Sequence, residues 1–201
     1  MLIEQPPRLY RALFGGIWRL PKKEKCVYLT FDDGPIPEMT PWTLDTLDRY
    51  GVKATFFCVG ENVARYPEIY EMILARGHKT GNHTYNHIKA THTPSDVYIA
   101  NVDKAAELIH SDLFRPPHGH MRFPQLYNIS KRYRIIMWDV VTRDYSPHMT
   151  AKGVVNVIKR YTRNGSIIVF HDSLKAEPRV RTALPQAIEW LQEQGYSFAT
   201  L

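Results

Sequence analysis

The run Cys26-Val27-Tyr28-Leu29-Thr30-Phe31, followed at once by Asp32-Asp33-Gly34-Pro35, sets the reading of this chain. A continuous apolar run of this length describes a strand buried on both faces rather than one with a wet side. Asp, Gly and Pro are turn formers, so an ordinary turn accounts for the composition of residues 32–35. Adjacent carboxylates at the end of a buried strand nonetheless repel one another and cost stability unless cations compensate. In extended backbone neighbouring side chains point to opposite sides. One aspartate is then free to bind a metal while the other faces a substrate.

Working outward, the same kind of run recurs. Strands are predicted at 26–31, 54–59, 78–82, 112–115, 134–139, 166–171 and 196–200. Helical patterns fall between them. Thr40-Pro41 reads as an N-cap with a first-turn proline, and 62–76 ends at Gly77. A stripe of Ile99, Val102, Ala106 and Ile109 follows Ser95, and further helices are predicted at 122–132, 150–164 and 180–194. Alternating strands and helices call for a parallel sheet with right-handed crossovers, open or closed into a barrel. The fold class is α/β.

With 201 residues, 44% hydrophobic and 23% charged, the chain has the composition of one globular domain, which excludes disordered and fibrous classes. No apolar stretch approaches the ~18 residues of a membrane span. Cys26 and Cys58 sit in apolar runs and read as small buried hydrophobes. The net charge of +6 is uneven: residues 1–25 carry +4 and residues 26–201 only +2. A basic N-terminal arm (1–25) therefore precedes the main domain (26–201). It is either an arm wrapping the domain, which Trp18 and Leu20 favour, or a contact for an anionic partner. Residues 12–18 are apolar, but Arg19 interrupts them and no small-residue cleavage site follows, so no export signal and a cytoplasmic location are expected.

Reactive residues gather just after several strands: Asp32-Asp33, His83 with His87, Arg115, Asp139 with Asp144, and His171-Asp172. In parallel α/β folds those carboxyl ends face one side, where ligands bind. Histidines four apart share one face of a helical turn and can converge on one metal. A single pair is weak evidence, since satisfied core histidines are common; an aspartate from another strand end strengthens it. His171 closes the apolar run Ile167-Ile-Val-Phe, where an unpaired imidazole would be costly.

In order, the blocks Thr30-Phe-Asp-Asp-Gly-Pro35, Lys53-Ala-Thr-Phe-Phe57, Gly81-Asn-His-Thr-Tyr-Asn-His87, Arg115-Pro-Pro-His-Gly119 and Ile168-Val-Phe-His-Asp172 resemble the polysaccharide deacetylases, the NodB-homology family (carbohydrate esterase family four). The resemblance implies a distorted (β/α) barrel, which seven strands fit. It also implies a metal triad of Asp33, His83 and His87 holding a divalent ion, foremost zinc. Asp32 resembles the general base, steadied by Arg115, and His171 the general acid, held by Asp144. The backbone amide of His118 would help hold an oxyanion.

Three positions depart from the family pattern. His118 stands where an aromatic residue usually precedes the glycine, and in the Asp144 block Val141 replaces an acid and Tyr145 a tryptophan. The resemblance implies removal of N-acetyl groups from an amino sugar, and these departures favour short substrates. The alternatives are hydrolysis of another non-peptide C–N bond, such as a cyclic amide, and an inactive carbohydrate-binding domain. A nucleic-acid partner is not expected, because the arm holds most of the charge and no recognition motif is visible.

Overall fold

The structure is a computed structural model and describes residues 4–201. Within these residues the strands are β1 (Cys26–Asp32), β2 (Thr55–Cys58), β3 (Lys79–Asn82), β4 (Leu113–Phe114), β5 (Arg134–Ile135), β6 (Val140–Val141), β7 (Ile167–His171) and β8 (Ser197–Phe198). The main helices are α1 (Arg8–Leu13), α2 (Thr40–Arg49), α3 (Gly60–Arg65), α4 (Pro67–Ala75), α5 (Ser95–Ala106), α6 (Phe123–Ile129), α7 (Ala151–Tyr161) and α8 (Glu177–Glu193).

All strand pairings are parallel, in the order β5-β4-β3-β2-β1-β7-β6, with β8 attached to β1. β5 and β6 lie at opposite ends of this path, yet only 136–139 separate them in the chain, so the sheet must curl until its edges meet. The single strand predicted at 134–139 is thus two strands. The Ile136 N–H donates to Phe114 on one side of the seam and the Asp139 N–H to Ile167 on the other. The N-terminal segment fills that seam. Ile17 exchanges backbone hydrogen bonds with Ile135 and Met137, and the Leu20 N–H donates to Gly165. Residues 17–20 are therefore packed against the barrel, not free in solvent.

β1 is buried along its whole length. Its alternation sends Val27, Leu29 and Phe31 outward to the helices, where Phe31 stacks between Phe56 and Phe170 at centroid distances of 5.0 and 5.8 Å. Burying each such ring stabilises the fold by about 1.5–3 kcal/mol. Thr30 and Asp32 point the other way, into the barrel, where both meet Arg115.

Two helices differ from expectation. The helix predicted at 62–76 breaks into α3 and α4, because Pro67 disfavours helical backbone at Tyr66 (φ −132°). Thr40 is the first residue of α2 rather than its cap. Its hydroxyl accepts from the Ile36 N–H and donates to Asp172. The predicted start of α7 is capped: the Thr150 hydroxyl accepts from the Gly153 N–H at 3.0 Å.

Candidate active site

A cleft of about 180 Å³ opens at the carboxyl ends of the strands, and Asp32, Asp33, His83, His87, His118, Tyr145 and His171 all line it. Arg115 and Asp144 stand behind this wall, each bound to one of its members. These nine candidates from the sequence are therefore in one place. Asp139 is not. Because β6 begins only at Val140, the Asp139 carboxylate lies at the amino end of β7, held by Arg11, Arg163 and the Ser166 hydroxyl. It ties the N-terminal segment to the barrel.

Asp33 and the two histidines converge. One ligand atom from each lies within 4.8 Å of the others. His87 Nε2 is 3.3 Å and His83 Nε2 3.8 Å from Asp33 Oδ1. The histidines do not share a helical turn. Residues 83–89 form a loop in which Thr84 and His87 take left-handed backbone (φ 64° and 57°), and it is this bend that turns His87 back toward His83. The Nδ1 of His83 lies 2.7 Å from the Arg115 carbonyl, to which it donates, so Nε2 keeps its lone pair facing Asp33. Burial pushes His83 down to about 4, so its imidazole is neutral. Burial would raise the Asp33 carboxyl, but His171, His83, His87 and His118 outweigh it and hold Asp33 below the usual range.

These residues fit a divalent metal. Asp33 Oδ1 is buried and receives no hydrogen bond among the described residues, which is costly unless a cation supplies the missing partner. Two imidazole nitrogens and a carboxylate oxygen are also the donor set that leaves such an ion with open positions.

Asp32 points into the barrel and lines the same cleft as this group. Arg115 is wholly buried, and its Nη1 donates to Asp32 Oδ1 at 2.6 Å and to the Thr30 hydroxyl at 2.8 Å. Nε and Nη2 donate to the carbonyls of Ile136 and Met137, and the guanidinium lies over the Phe57 ring at 4.0 Å. A guanidinium anchored on every side fixes where the carboxylate can be.

His171 is the residue paired with Asp32 across β1 and β7. Its Nδ1 meets Asp144 Oδ1 at 2.7 Å, and the Tyr145 ring packs edge-on against it at 4.7 Å. Burial acts to lower His171, but the charge and hydrogen bond of Asp144, with Asp33 and Asp32 beyond, raise it to about 9. The pairing with Asp144 favours the imidazolium form.

His118 sits across the cleft with left-handed backbone (φ 62°), its ring 4.8 Å from that of His87. Burial, then His87 and Lys89, push it down to about 4. The next residue must be glycine: Gly119 has φ 72°, and a Cβ there would come within 2.2 Å of the Trp138 ring.

The family model described as polysaccharide deacetylase matches residues 19–136, more than half of the sequence. The chain belongs to the polysaccharide deacetylase family. Among its relatives in that family is a peptidoglycan-N-acetylglucosamine deacetylase of Bacillus cereus, 31% identical over 193 residues that cover 92% of this chain and 90% of that protein. The crystal structure of a peptidoglycan N-acetylglucosamine deacetylase in complex with 4-naphthalen-1-yl-N-oxidanyl-benzamide superposes with a TM-score of 0.89 at 32% identity, covering 98% of this chain and 95% of that one. A family pseudoenzyme from Bacillus anthracis is also similar, with a TM-score of 0.80 at 26% identity over 93% of this chain and 67% of that one. The curled parallel sheet of this chain is thus that of its relatives.

Some features of the site carry little or no signal in the sequence. Trp138 lines the cleft, but in sequence it belongs to an apolar run with no chemical mark; Val141, which the sequence marks only as the replacement of an acid, lines it too. Ser173 and Lys175 come after the His171 block and border the same cleft. Asp172 is visible as an acid after His171 but has no evident task. It is fully buried, accepts from the Thr40 hydroxyl, and donates its backbone N–H to the Asp32 carbonyl at 2.7 Å. It also packs so tightly on Gly34 that a Cβ there would lie 2.4 Å from its carboxylate.

Proposed function

We propose that this chain is a metal-dependent hydrolase that removes N-acetyl groups from an amino sugar. The observation that carries the reading is the presence, in the lining of one cleft, of a carboxylate fixed by Arg115 and, beside it on the neighbouring strand, an imidazole fixed by Asp144. Hydrolysis of an amide needs both a base for the water and an acid for the leaving amine.

Asp33, His83 and His87 would hold the divalent ion, with zinc the best match to the donor set, and it would polarise the acetamide carbonyl and acidify water. Asp32 takes the proton of the attacking water, and Arg115 keeps it in place to do so. His171 gives its Nε2 proton to the departing amine, which otherwise leaves poorly. Asp144 orients that imidazole through Nδ1 and favours its charged form. The His118 backbone amide would supply a hydrogen bond to the developing oxyanion. Each positioned proton transfer is worth about 10²–10⁴-fold in rate.

A carbohydrate-binding domain without activity requires neither the imidazolium nor its carboxylate partner. The names of the relatives support an amino-sugar substrate over another C–N bond. Purified protein reconstituted with zinc and given N-acetylated amino-sugar oligomers should release acetate and free amine in equal amounts. Absence of both products with zinc, cobalt or nickel would overturn the reading.

A further inference from the structure

Four of the seven large apolar side chains left in solvent, among the described residues, lie on two neighbouring helices far from the barrel core. Leu9 and Leu13 stand one turn apart on α1, 73% and 72% exposed, and Phe123 and Tyr127 one turn apart on α6, 78% and 56% exposed. The outward set is not an accident of a loose helix. Tyr10 and Phe14, the residues next in sequence, turn inward: the Tyr10 hydroxyl meets His120 Nδ1 at 3.0 Å, and both rings pack on His120. Gly15, Gly16 and Ile17 then form one wall of a groove of about 510 Å³ whose other wall is α6, with Arg134 at its edge.

The two segments that carry these apolar side chains bear charge of one sign, bordered by exposed Asp112, whose carbonyl accepts from the Arg134 N–H, and by Asp103, which pairs with Arg132. From Gln5 to Lys23 and from Leu113 to Trp138 there is no Asp or Glu, against ten Lys or Arg. Arg11, Arg115 and Arg132 are bound to Asp139, Asp32 and Asp103. The other seven have no carboxylate partner among the described residues. Lys131 lies 4.0 Å from the centroid of the exposed Tyr127 ring.

A nucleic acid would use the cations but not four protruding apolar side chains. A second copy of the chain would set one basic face against another. An anionic bilayer accepts both features at once, with apolar side chains in the headgroup–acyl boundary and cations at the lipid phosphates. We propose that α1 and α6 form a docking surface for an anionic lipid membrane. Leu9, Leu13, Phe123 and Tyr127 insert, while Arg8, Lys131 and Arg134 meet phosphate. This surface adjoins the cleft, since Tyr10 holds the loop that carries His118 and Pro116 lines both the cleft and the small cavity beneath Phe14.

Flotation with vesicles tests the proposal without reference to hydrolysis. The protein should float with phosphatidylcholine–phosphatidylglycerol vesicles, less so as salt rises, and not with phosphatidylcholine alone. Leu13→Ser/Phe123→Ser and Arg8→Glu/Arg134→Glu should each lower partitioning at least ~tenfold. All four side chains are at the surface, so both variants should keep the wild-type melting temperature, and a lowered one calls for the milder Leu9→Ser/Tyr127→Ser pair. Failure to bind the mixed vesicles, or equal binding to both lipids, would overturn the proposal. So would loss of vesicle binding in the charge variant alone, together with DNA binding that the charge variant loses and the serine variant keeps, which identifies a polyanion site. A dimer in light scattering that the serine variants dissolve would assign the face to a second copy.

Discussion

His171 and Asp144 are joined twice: Nδ1 of the imidazole meets one carboxylate oxygen at 2.7 Å, and the backbone N–H of the same histidine donates to the other at 2.7 Å. The backbone bond holds the carboxylate whatever the charge of the ring, so Asp144→Asn changes electrostatics more than position. An acid that works only when protonated loses activity as pH rises through its pKa, which Asp144 helps raise to about 9. The alkaline limb of the kcat/KM profile should therefore move to lower pH in Asp144→Asn, by a unit or more. The same shift acts on stability. A histidine raised in the folded state contributes stability that is fully present below its unfolded pKa of ~6.5 and lost as pH rises toward about 9. Chemical denaturation at both ends of that window should show the contribution in the parent and its loss in the variant.

Arg115 and Asp32 make the other anchored pair, with the guanidinium wholly buried. Replacing Arg115 by Met leaves a buried carboxylate without its cation, a change that costs about 3–5 kcal/mol. In a chain of this size the melting temperature should fall on the order of 10 °C. Adding Asp32→Asn should restore much of that loss but no activity. Equal melting temperatures for the single and double variants would mean that Arg115 stabilises through Thr30 and the carbonyls instead.

A fold is legible in its sequence where physical chemistry leaves a local mark. Strand β1 was legible because the six residues 26–31 form one apolar run, and the carboxylates Asp32 and Asp33 that close it break the pattern abruptly. The gathering of Asp32, His83, Arg115 and His171 at one end came from parallel strands alone. The split between β5 and β6 left no such mark: Ile136-Met-Trp-Asp139 is as apolar as a strand, and only the curl of the sheet makes it cross a seam. Asp139 was misplaced for that reason. The left-handed turns at Thr84 and His87 were hidden too, since neither residue is a glycine that would announce positive φ. Asp172 escaped because its partners, Thr40 and Thr43, come from a helix some 130 residues away and carry no charge.

Asp32 and Asp33 are neighbours with different expected roles, and metal content separates them. Asp33→Ala and His83→Ala should each lose bound zinc after dialysis, while Asp32→Asn keeps it and loses most of kcat, because its ligands remain. Undiminished zinc in both Asp33→Ala and His83→Ala would remove the triad. Equal loss in Asp32→Asn and Asp33→Ala would exchange the two roles.

Burial raises Asp172 to about 7, against the opposing effect of the Thr40 and Thr43 hydroxyls. A carboxyl raised in the folded state favours folding while protonated. Its contribution is complete below the unfolded pKa of ~3.8 and is lost as pH climbs through about 7. Asp172→Asn cannot ionise and still accepts from Thr40. The drop in melting temperature between about pH 5 and about pH 8 should therefore be smaller in the variant than in the parent. An unchanged drop would place the pH dependence elsewhere.

Substrate length should matter little, because little of the cleft is built to grip a polymer. Its volume of about 180 Å³ is below the ~300–1,000 Å³ of pockets that enclose a drug-sized molecule, so it holds the reacting acetamido group and leaves the remaining sugars on the surface. Of the aromatic side chains at its mouth, Tyr145 stands edge-on to His171, and its ring is partly occupied by that contact. His118 packs against His87 and offers less apolar area than a larger ring would. Little stacking energy remains for distant units. An aromatic contact is worth about 0.5–1.5 kcal/mol, and ~1.4 kcal/mol is a factor of ten, so kcat/KM should rise less than about tenfold from a disaccharide to a hexasaccharide. The variant His118→Tyr with Tyr145→Trp should steepen that dependence, chiefly through KM. A rise of several hundredfold in the parent would require a binding surface beyond the cleft.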